Sequence, residues 1–302
     1  MAKTIAVANM KGGVGKTTLT VCLAEALAAD DQNMKVLIVD ADPQASASVS
    51  LVGDEKLAKL IEDGKTLDAY LDDQLAHPGG TSQTRLSNLI CGNVSSTTHN
   101  NIPLDISLLS CGPFLRLVEK EIVRKFIKLN LGENAYEMRL WALIKQEFEF
   151  IKKSYDYIIF DCAPSISVLN DVMIRYSDLV ILPTIPDFIS VYGLSAFLHT
   201  VWNYPIGSLP KPTKLPYVIV TKYQNNNQHK KNVEKLKAAA EIEGAKYGIF
   251  ATHVPQAVQF ASALALANDY PTFTLKYSSK LINEVISPLT LEIKEVLDAY
   301  AP

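Results

Sequence analysis

The sequence predicts an α/β fold in which a mostly parallel, twisted sheet is flanked by helices on both faces. Two observations predict it. Seven short β-branched runs, TIAVAN, KVLIVD, LDISLLS, YDYIIFD, DLVILPT, PYVIVTK and YGIFATH, each end at turn-forming or acidic residues and read as buried strands. Between them lie helix-length amphipathic segments, including Lys16 to Ala29, Phe114 to Leu129, Ala135 to Lys152, Val233 to Glu243 and Ser278 to Tyr300. Strands that are apolar along their whole length and alternate with helices are covered on both sides, as parallel strands are.

Composition narrows the class. The chain has 302 residues, 48% hydrophobic and 20% charged, which suits one large domain over residues 1–302 and excludes a disordered or fibrous chain. No apolar run approaches the roughly 18 residues of a membrane-spanning helix, and MAKTIAVANM reads as a strand rather than a signal peptide, so a cytosolic protein is expected. Cys22, Cys91, Cys111 and Cys162 form no C-x-x-C pair, and the five histidines show no ligand spacing. The net charge of −3 means that any nucleic-acid contact must come from a local basic patch. From His77 to Pro103 the chain is rich in Gly, Ser, Thr, Asn and Pro, and is read as an irregular excursion from the sheet. No helix-turn-helix is expected before the first strand.

The first strand runs directly into the glycine-rich loop NMKGGVGKTT, Asn9 to Thr18, and an Ala- and Leu-rich helix leaves it. That context aims successive backbone N–H groups and a helix N-terminus at one point, where a phosphate can sit. Gly12, Gly13 and Gly15 permit the turn around Val14, Lys16 reaches terminal phosphates, and the Thr17 hydroxyl, followed by Thr18, completes the shell of a magnesium ion. The fold class is therefore a single-domain P-loop NTPase. Lys11 is a second lysine on the entry side of the loop, and its stem can project away from its own phosphates.

KGGVGKTT resembles the deviant Walker A motif of the ParA/MinD (Soj-like) ATPases, most closely the ParA-type partition ATPases. In that family the early lysine crosses an ATP-bound sandwich dimer to the partner's nucleotide, and Lys11 takes that place. DADPQ resembles the family's D-x-D-P-Q segment. By that likeness Asp40 orients the attacking water and supports the metal, and Asp42 supports the magnesium region of the first switch. YDYIIFDCAPS resembles a Walker B strand and second switch, in which Asp161 holds a magnesium-bound water and the loop from Cys162 to Ser167 senses the γ-phosphate. Further segments, TLDAYL, LLSCGPFLRLVE and LVILPTIPDFISVYGLSAF, are similar to family segments, so the likeness runs from the first strand to about residue 200. Beyond it, VIVTKYQNN and HVPQAVQFASA occupy the family's adenine-edge positions, which places Thr221 and Pro255 near the base.

The resemblance implies ATP and Mg2+ as cofactors, a homodimer in the ATP-bound state, weak ATPase activity stimulated by a ParB-type partner, non-specific DNA binding and a nucleoid-associated location. Two arginines of the family pattern are replaced by Gln256 and Gln259, and arginines there are expected to help bind DNA. Lys230, Lys231, Lys235, Lys237, Lys276, Lys280 and Arg175 are candidate replacements. The alternatives are a MinD-like membrane-cycling ATPase, disfavoured because PLTLEIKEVLDAYAP is not a basic amphipathic helix, positioning of a non-DNA cargo, and a metabolic or iron–sulfur enzyme on the same scaffold.

Overall fold

The computed structural model describes residues 1–30, 34–75, 84–130, 134–165, 167–203, 209–212, 214–257, 260, 264 and 271–300. The strands are β1 (Lys3–Val7), β2 (Val36–Ala41), β3 (Thr98–His99), β4 (Ile102–Pro103), β5 (Ile106–Leu109), β6 (Tyr157–Cys162), β7 (Leu179–Thr184), β8 (Tyr217–Tyr223) and β9 (Gly248–Pro255). The first eight helices are α1 (Lys16–Asp30), α2 (Ser46–Glu62), α3 (Leu67–Leu75), α4 (Leu115–Lys128), α5 (Ala135–Ile151), α6 (Val168–Tyr176), α7 (Phe188–Leu198) and α8 (Asn227–Glu241). Seven strands form one sheet in the order β5-β2-β6-β1-β7-β8-β9, and every pairing in it is parallel.

Alternation along the strands divides the core in two. Ala6, Leu37, Val39, Ile158, Phe160, Val180 and Leu182 face α3 to α8, whereas Ile5, Val7, Val36, Ile38, Ile159 and Ile181 face α1, α2 and the C-terminal helices. Both faces of the central strands are buried, which is why most of their positions are apolar. One expectation fails in detail: α1 is buried around most of its circumference rather than amphipathic, because α2 and the C-terminal helix also cover it.

The sheet order positions the site. β1 lies between β6 and β7, and the chain leaves β1 for the β2 side but leaves β6 for the β7 side. A crevice outside the carboxyl ends of strands at such a reversal is where open α/β sheets bind ligands. The loops after β1, β2 and β6 all open there.

The described part of the excursion, residues 84–104, is a cover for the sheet's edge. Cys91 and Leu108 exchange backbone hydrogen bonds of 2.8 and 2.9 Å, and Val94 N donates to Ile106 O, so the strap lies antiparallel against β5. Leu86 and Leu89 enter one core while Val94 and Leu104 enter the other. Pairing an edge strand removes a template for aggregation. The turns this wrapping needs put Asn93, Asn100 and Asn101 at positive φ (52°, 50° and 63°), which asparagine tolerates better than most residues.

The predicted helix from Ser278 to Tyr300 is broken. It comprises Ser279–Leu281, a π-helical turn Ile282–Ile286 and the helix Ser287–Ala299. Pro288 has no N–H to donate one turn back, so the ladder shifts register before it. Leu289, Ile293 and Leu297 are buried against the sheet, so this helix spends its apolar face on the core. Among the described residues no helix is long and apolar enough to cross a membrane. Helix α8 starts earlier than the apolar pattern indicates, at Asn227, because the Asn226 side chain accepts from His229 N at 2.8 Å and caps it.

Lys276 is a correction to the basic patch read from the sequence. It is 3% exposed, and its Nζ donates to Glu25 Oε1 at 2.7 Å, while the Tyr277 hydroxyl donates to Glu25 Oε2 at 2.5 Å. Arg175 is likewise committed, donating to Pro210 O and Val201 O. Neither is available to DNA. Truncating Lys276→Ala strands the Glu25 carboxylate inside the core and is expected to cost about 3–5 kcal/mol in urea unfolding, whereas a Glu25→Leu/Lys276→Leu double variant costs much less.

Candidate active site

The phosphate loop is held from outside before any ligand is considered. Asn9 Nδ2 donates to Pro183 O at 2.8 Å and its Oδ1 accepts from Lys11 N at 2.9 Å, which anchors the loop's entry to β7. Thr221 Oγ1 donates to Val14 O at 2.8 Å, which anchors its tip to β8. Gly13 and Gly15 have φ of 73° and 92°, so both need a glycine backbone. At Gly12 the backbone is ordinary and a Cβ would meet no protein atom within 4 Å, so nothing in this chain calls for glycine there.

Lys16 is buried at the start of α1, and its Nζ donates to Lys11 O at 3.2 Å. Burial lowers its pKa, against the pull of Asp161 and Asp42. Asp161 stands at the end of β6 in register with Asp40 on β2, and both are fully buried. Asp161 Oδ1 accepts from Thr20 Oγ1 at 3.3 Å, and Thr17 also bonds to the carboxylate, but Oδ2 is buried with no hydrogen-bond partner. Burial, reinforced by the Asp40 charge, pushes the Asp161 carboxyl up to about 8. Burial likewise pushes Asp40 up to about 6, against the hydrogen bonds from Ser48.

Asp40 is held in place within the protein by three donors. Its Oδ1 accepts from Asp42 N at 3.1 Å, and its Oδ2 accepts from Ser48 N at 2.9 Å and Ser48 Oγ at 2.7 Å. Ser48 Oγ in turn accepts from Cys111 N, so the loop after β5 braces the loop after β2. Asp42 turns the chain by accepting from Gln44 N at 2.9 Å. A bare oxygen on Asp161, the Thr17 hydroxyl and the nearby Asp42 carboxylate are the oxygen donors that a hard divalent cation requires, and magnesium fits this set.

The sequence-derived positions therefore converge, with one group apart from the rest. Gly12 to Thr18, Asp40, Asp42 and Asp161 line the crevice. Thr221 and Pro255 lie in an adjoining cavity of about 550 Å3 that continues past Val14, Gly15 and Thr18 and is walled by Phe260. Gln256 also borders that cavity and bonds to Gln224, so it lies at the rim of the nucleotide pocket; Gln259 falls outside the described residues. Lys11 is turned away from its own loop. Its Nζ donates to Ser190 Oγ at 2.6 Å and forms an ion pair with Asp187 at 3.2 Å, at the start of α7.

A family model described as an AAA domain matches residues 2–205. The chain belongs to the ParA/MinD-like P-loop ATPases. Soj of Bacillus subtilis, a sporulation initiation inhibitor protein, is 34% identical over 203 residues, covering 67% of this chain and 65% of Soj. The chromosome partitioning protein ParA of Caulobacter vibrioides is 27% identical over 295 residues, 94% of each chain. Among solved structures, a plasmid partition protein of Borrelia burgdorferi B31 bound to AMPPNP superposes with a TM-score of 0.67 at 23% identity, over 98% of this chain and 100% of that one. The pNOB8 ParA bound to nonspecific DNA gives 0.63 at 20% identity, over 99% of both. A Mycobacterium smegmatis cobyrinic acid a,c-diamide synthase with bound ADP and magnesium gives 0.61 at 22% identity, over 88% of this chain and 91% of that one, so the fold alone does not decide the reaction.

Sequence reasoning missed the residues that brace this ParA/MinD-like site. Asp187 carried a signal, since it opens a helix and with Ser190 shows capping spacing, whereas Ser48, inside the first turn of α2, carried none. Asn9 and Thr20 carried none. The buried carboxylates give a pH signature. In metal-free protein Asp40 and Asp161 keep protons that the unfolded chain releases near pH 4, so stability falls as pH rises from about 4 through about 8. The melting temperature should drop between about pH 6 and 8, and Asp161→Asn should flatten that drop; an equally steep variant contradicts the buried pair.

Proposed function

We propose that this chain is an ATP-driven, dimerising ATPase of the partition type, whose ATP-bound dimer binds DNA non-specifically and is reset by a ParB-type partner. The observation that carries this reading is Lys11. Its ammonium group stands on the open rim, held by the one-third-exposed Asp187 and the buried Ser190 rather than by its own phosphate loop, where a second subunit can meet it. Lys16 already supplies the cation in cis. The relatives support the wider reading, because two of them are a chromosome partitioning protein and a DNA-bound ParA.

In the mechanism, backbone N–H groups of Gly12 to Thr17 and the start of α1 hold the phosphates, and Lys16 draws charge from the terminal ones. Thr17 and Asp161 hold magnesium, which when bound neutralises charge on the transferred phosphoryl group. Asp40, fixed by three protein donors, keeps lone pairs free to orient a water in line. Thr221 and Pro255 flank the base. The second switch, Cys162 to Ser167, leads into α6, whose first turn Ser167 caps by accepting from Asn170 N. DNA contact falls to Lys230, Lys231 and Lys235 on the exposed side of α8, with Lys237 on the same helix in reserve and Lys280 exposed in the C-terminal segment.

Light scattering with ATP and magnesium should show the mass of an Asp40→Ala protein doubling, and a Lys11→Ala/Asp40→Ala protein remaining a monomer. A Lys11→Ala form that still doubles refutes the trans role. On DNA, the ATP-locked dimer should show salt-sensitive retention, and Lys231→Ala with Lys235→Ala should lower the salt slope by about two per subunit. Retention that ignores salt and these lysines would move the DNA surface elsewhere.

A further inference from the structure

The second switch is held by a residue from beyond it. Ser165 N donates to Ala163 O at 2.8 Å, which closes an i to i+2 turn about Pro164. The proline ring fixes its own φ and narrows the choices of Ala163 before it, but it does not restrain Ser165 after it. That restraint comes from α6. Asn170, the third residue of the helix and 4% exposed, turns its side chain back over the loop, where Nδ2 donates to Ala163 O at 3.1 Å and to Ser165 O at 2.8 Å. Its backbone N donates to Ser167 Oγ at 3.2 Å. One residue thus holds the loop at positions 163, 165 and 167.

Stability alone does not explain an asparagine there. It is a weaker helix former than alanine or leucine, and its Oδ1 is buried with no protein hydrogen-bond partner, a state that lowers stability and that few buried polar atoms occupy. What the position gains is two N–H donors aimed at the loop. The loop in turn lies against the entry of the phosphate loop. Ala8 and Asn9, just after β1, line one cavity with Ala163, Ser165 and Asn170, and its volume is about 10 Å3, room for one water at most. Asn9 is the residue that anchors Lys11 N.

We propose that Asn170 is a positioning residue of the second switch: its amide holds the backbone from Ala163 to Ser165 against the entry of the phosphate loop, in the placement that tells a nucleoside triphosphate from a diphosphate. Both N–H donors of the side chain are taken by loop carbonyls, so Asn170 acts through the loop and not on the nucleotide. A diphosphate lacks the group that the loop would meet, so loss of the amide bears on the triphosphate and spares the diphosphate. That discrimination rests on the ATPase reading, whereas the ordering of the loop by Asn170 does not.

The test compares the full chain with three variants. Asn170→Ala removes the amide, Asn170→Asp keeps its shape but turns an acceptor towards the two carbonyls, and Asn170→Gln returns the donors on a longer stem. In nucleotide-free protein, hydrogen exchange of the peptide from Cys162 to Asn170 should be about tenfold faster in the Ala and Asp variants, with β1 and β7 unchanged. Calorimetry with magnesium should show AMPPNP bound about fivefold more weakly by these variants and ADP changed by less than about twofold. Their kcat for ATP should fall about tenfold, and Asn170→Gln should recover part of each loss. Unchanged exchange in both the Ala and Asp variants overturns the clamp. Faster exchange with AMPPNP and ADP weakened equally, or neither weakened, leaves Asn170 a structural residue and overturns its positioning role. A wild-type chain that binds neither nucleotide refutes the ATPase reading before any substitution is made, and the discrimination falls with it, while the exchange result still decides the clamp.

Discussion

Two carboxylates that stand in register on neighbouring parallel strands, Asp40 and Asp161, set the terms for the rest of this molecule. Parallel pairing brings the ends of β2 and β6 to the same level, so both charges emerge beside each other at a fully buried point. Like charges in a medium of low polarity repel strongly, and nothing in the sheet can separate them. The surrounding chain is arranged around that difficulty. Ser48 and the N–H of Asp42 take up Asp40, Thr20 and Thr17 take up one side of Asp161, and Lys16 supplies the nearest buried positive charge. One oxygen is still left over, and a divalent cation is the group that would complete the set.

The braces also tie loops that are distant in sequence to one centre. Ser48 connects the loop after β2 to Cys111 after β5, and Asp68 on α3 accepts from Gly112 N, where a Cβ would come within 2.6 Å of the same carboxylate. Thr221 ties β8 to the loop tip, and Asn9 ties β7 to its entry. These bonds tie the ends of β2 and β5 to Asp40, and the ends of β7 and β8 to the phosphate loop. This is the physical content of a switch built on a rigid parallel core.

Much of this was legible in the sequence, for identifiable reasons. The strand runs are mostly apolar because both faces of the central sheet are covered, so the pattern and the class agree. The loop from Gly12 to Thr17 and the acidic strand ends were legible because their chemistry is compressed into a few adjacent residues. What the sequence hid depends on contacts at long range. Lys276 lies in the polar-looking stretch LKYSSK, and only the packing of that segment onto α1 pairs it with Glu25, some 250 positions away. The excursion looked structureless because its role, covering β5 at Cys91 and Val94, leaves no periodicity. Pro288 was visible in the sequence, but the π-helical turn it forces was not read.

Lys11 shows how magnitudes decide between a lock and a resting place. Burial raises the Asp187 carboxyl, but the bonds from Ser190 and Lys11 outweigh it and hold the group ionised below its usual range. The pair nevertheless keeps about a third of each side chain in water, 33% for Lys11 and 31% for Asp187. Ion pairs of that exposure contribute about 0–1 kcal/mol, and salt weakens them further. In the proposed dimer, a phosphate group offered by a second subunit in a closed, dry interface is a stronger partner than a solvated carboxylate. Asp187 also loses little when it is left, because Ser190 N and Oγ continue to bond to it as the cap of α7. The contact therefore keeps the ammonium group on the rim and out of its own phosphate site without opposing its transfer, and α7 stays capped whichever partner the lysine takes.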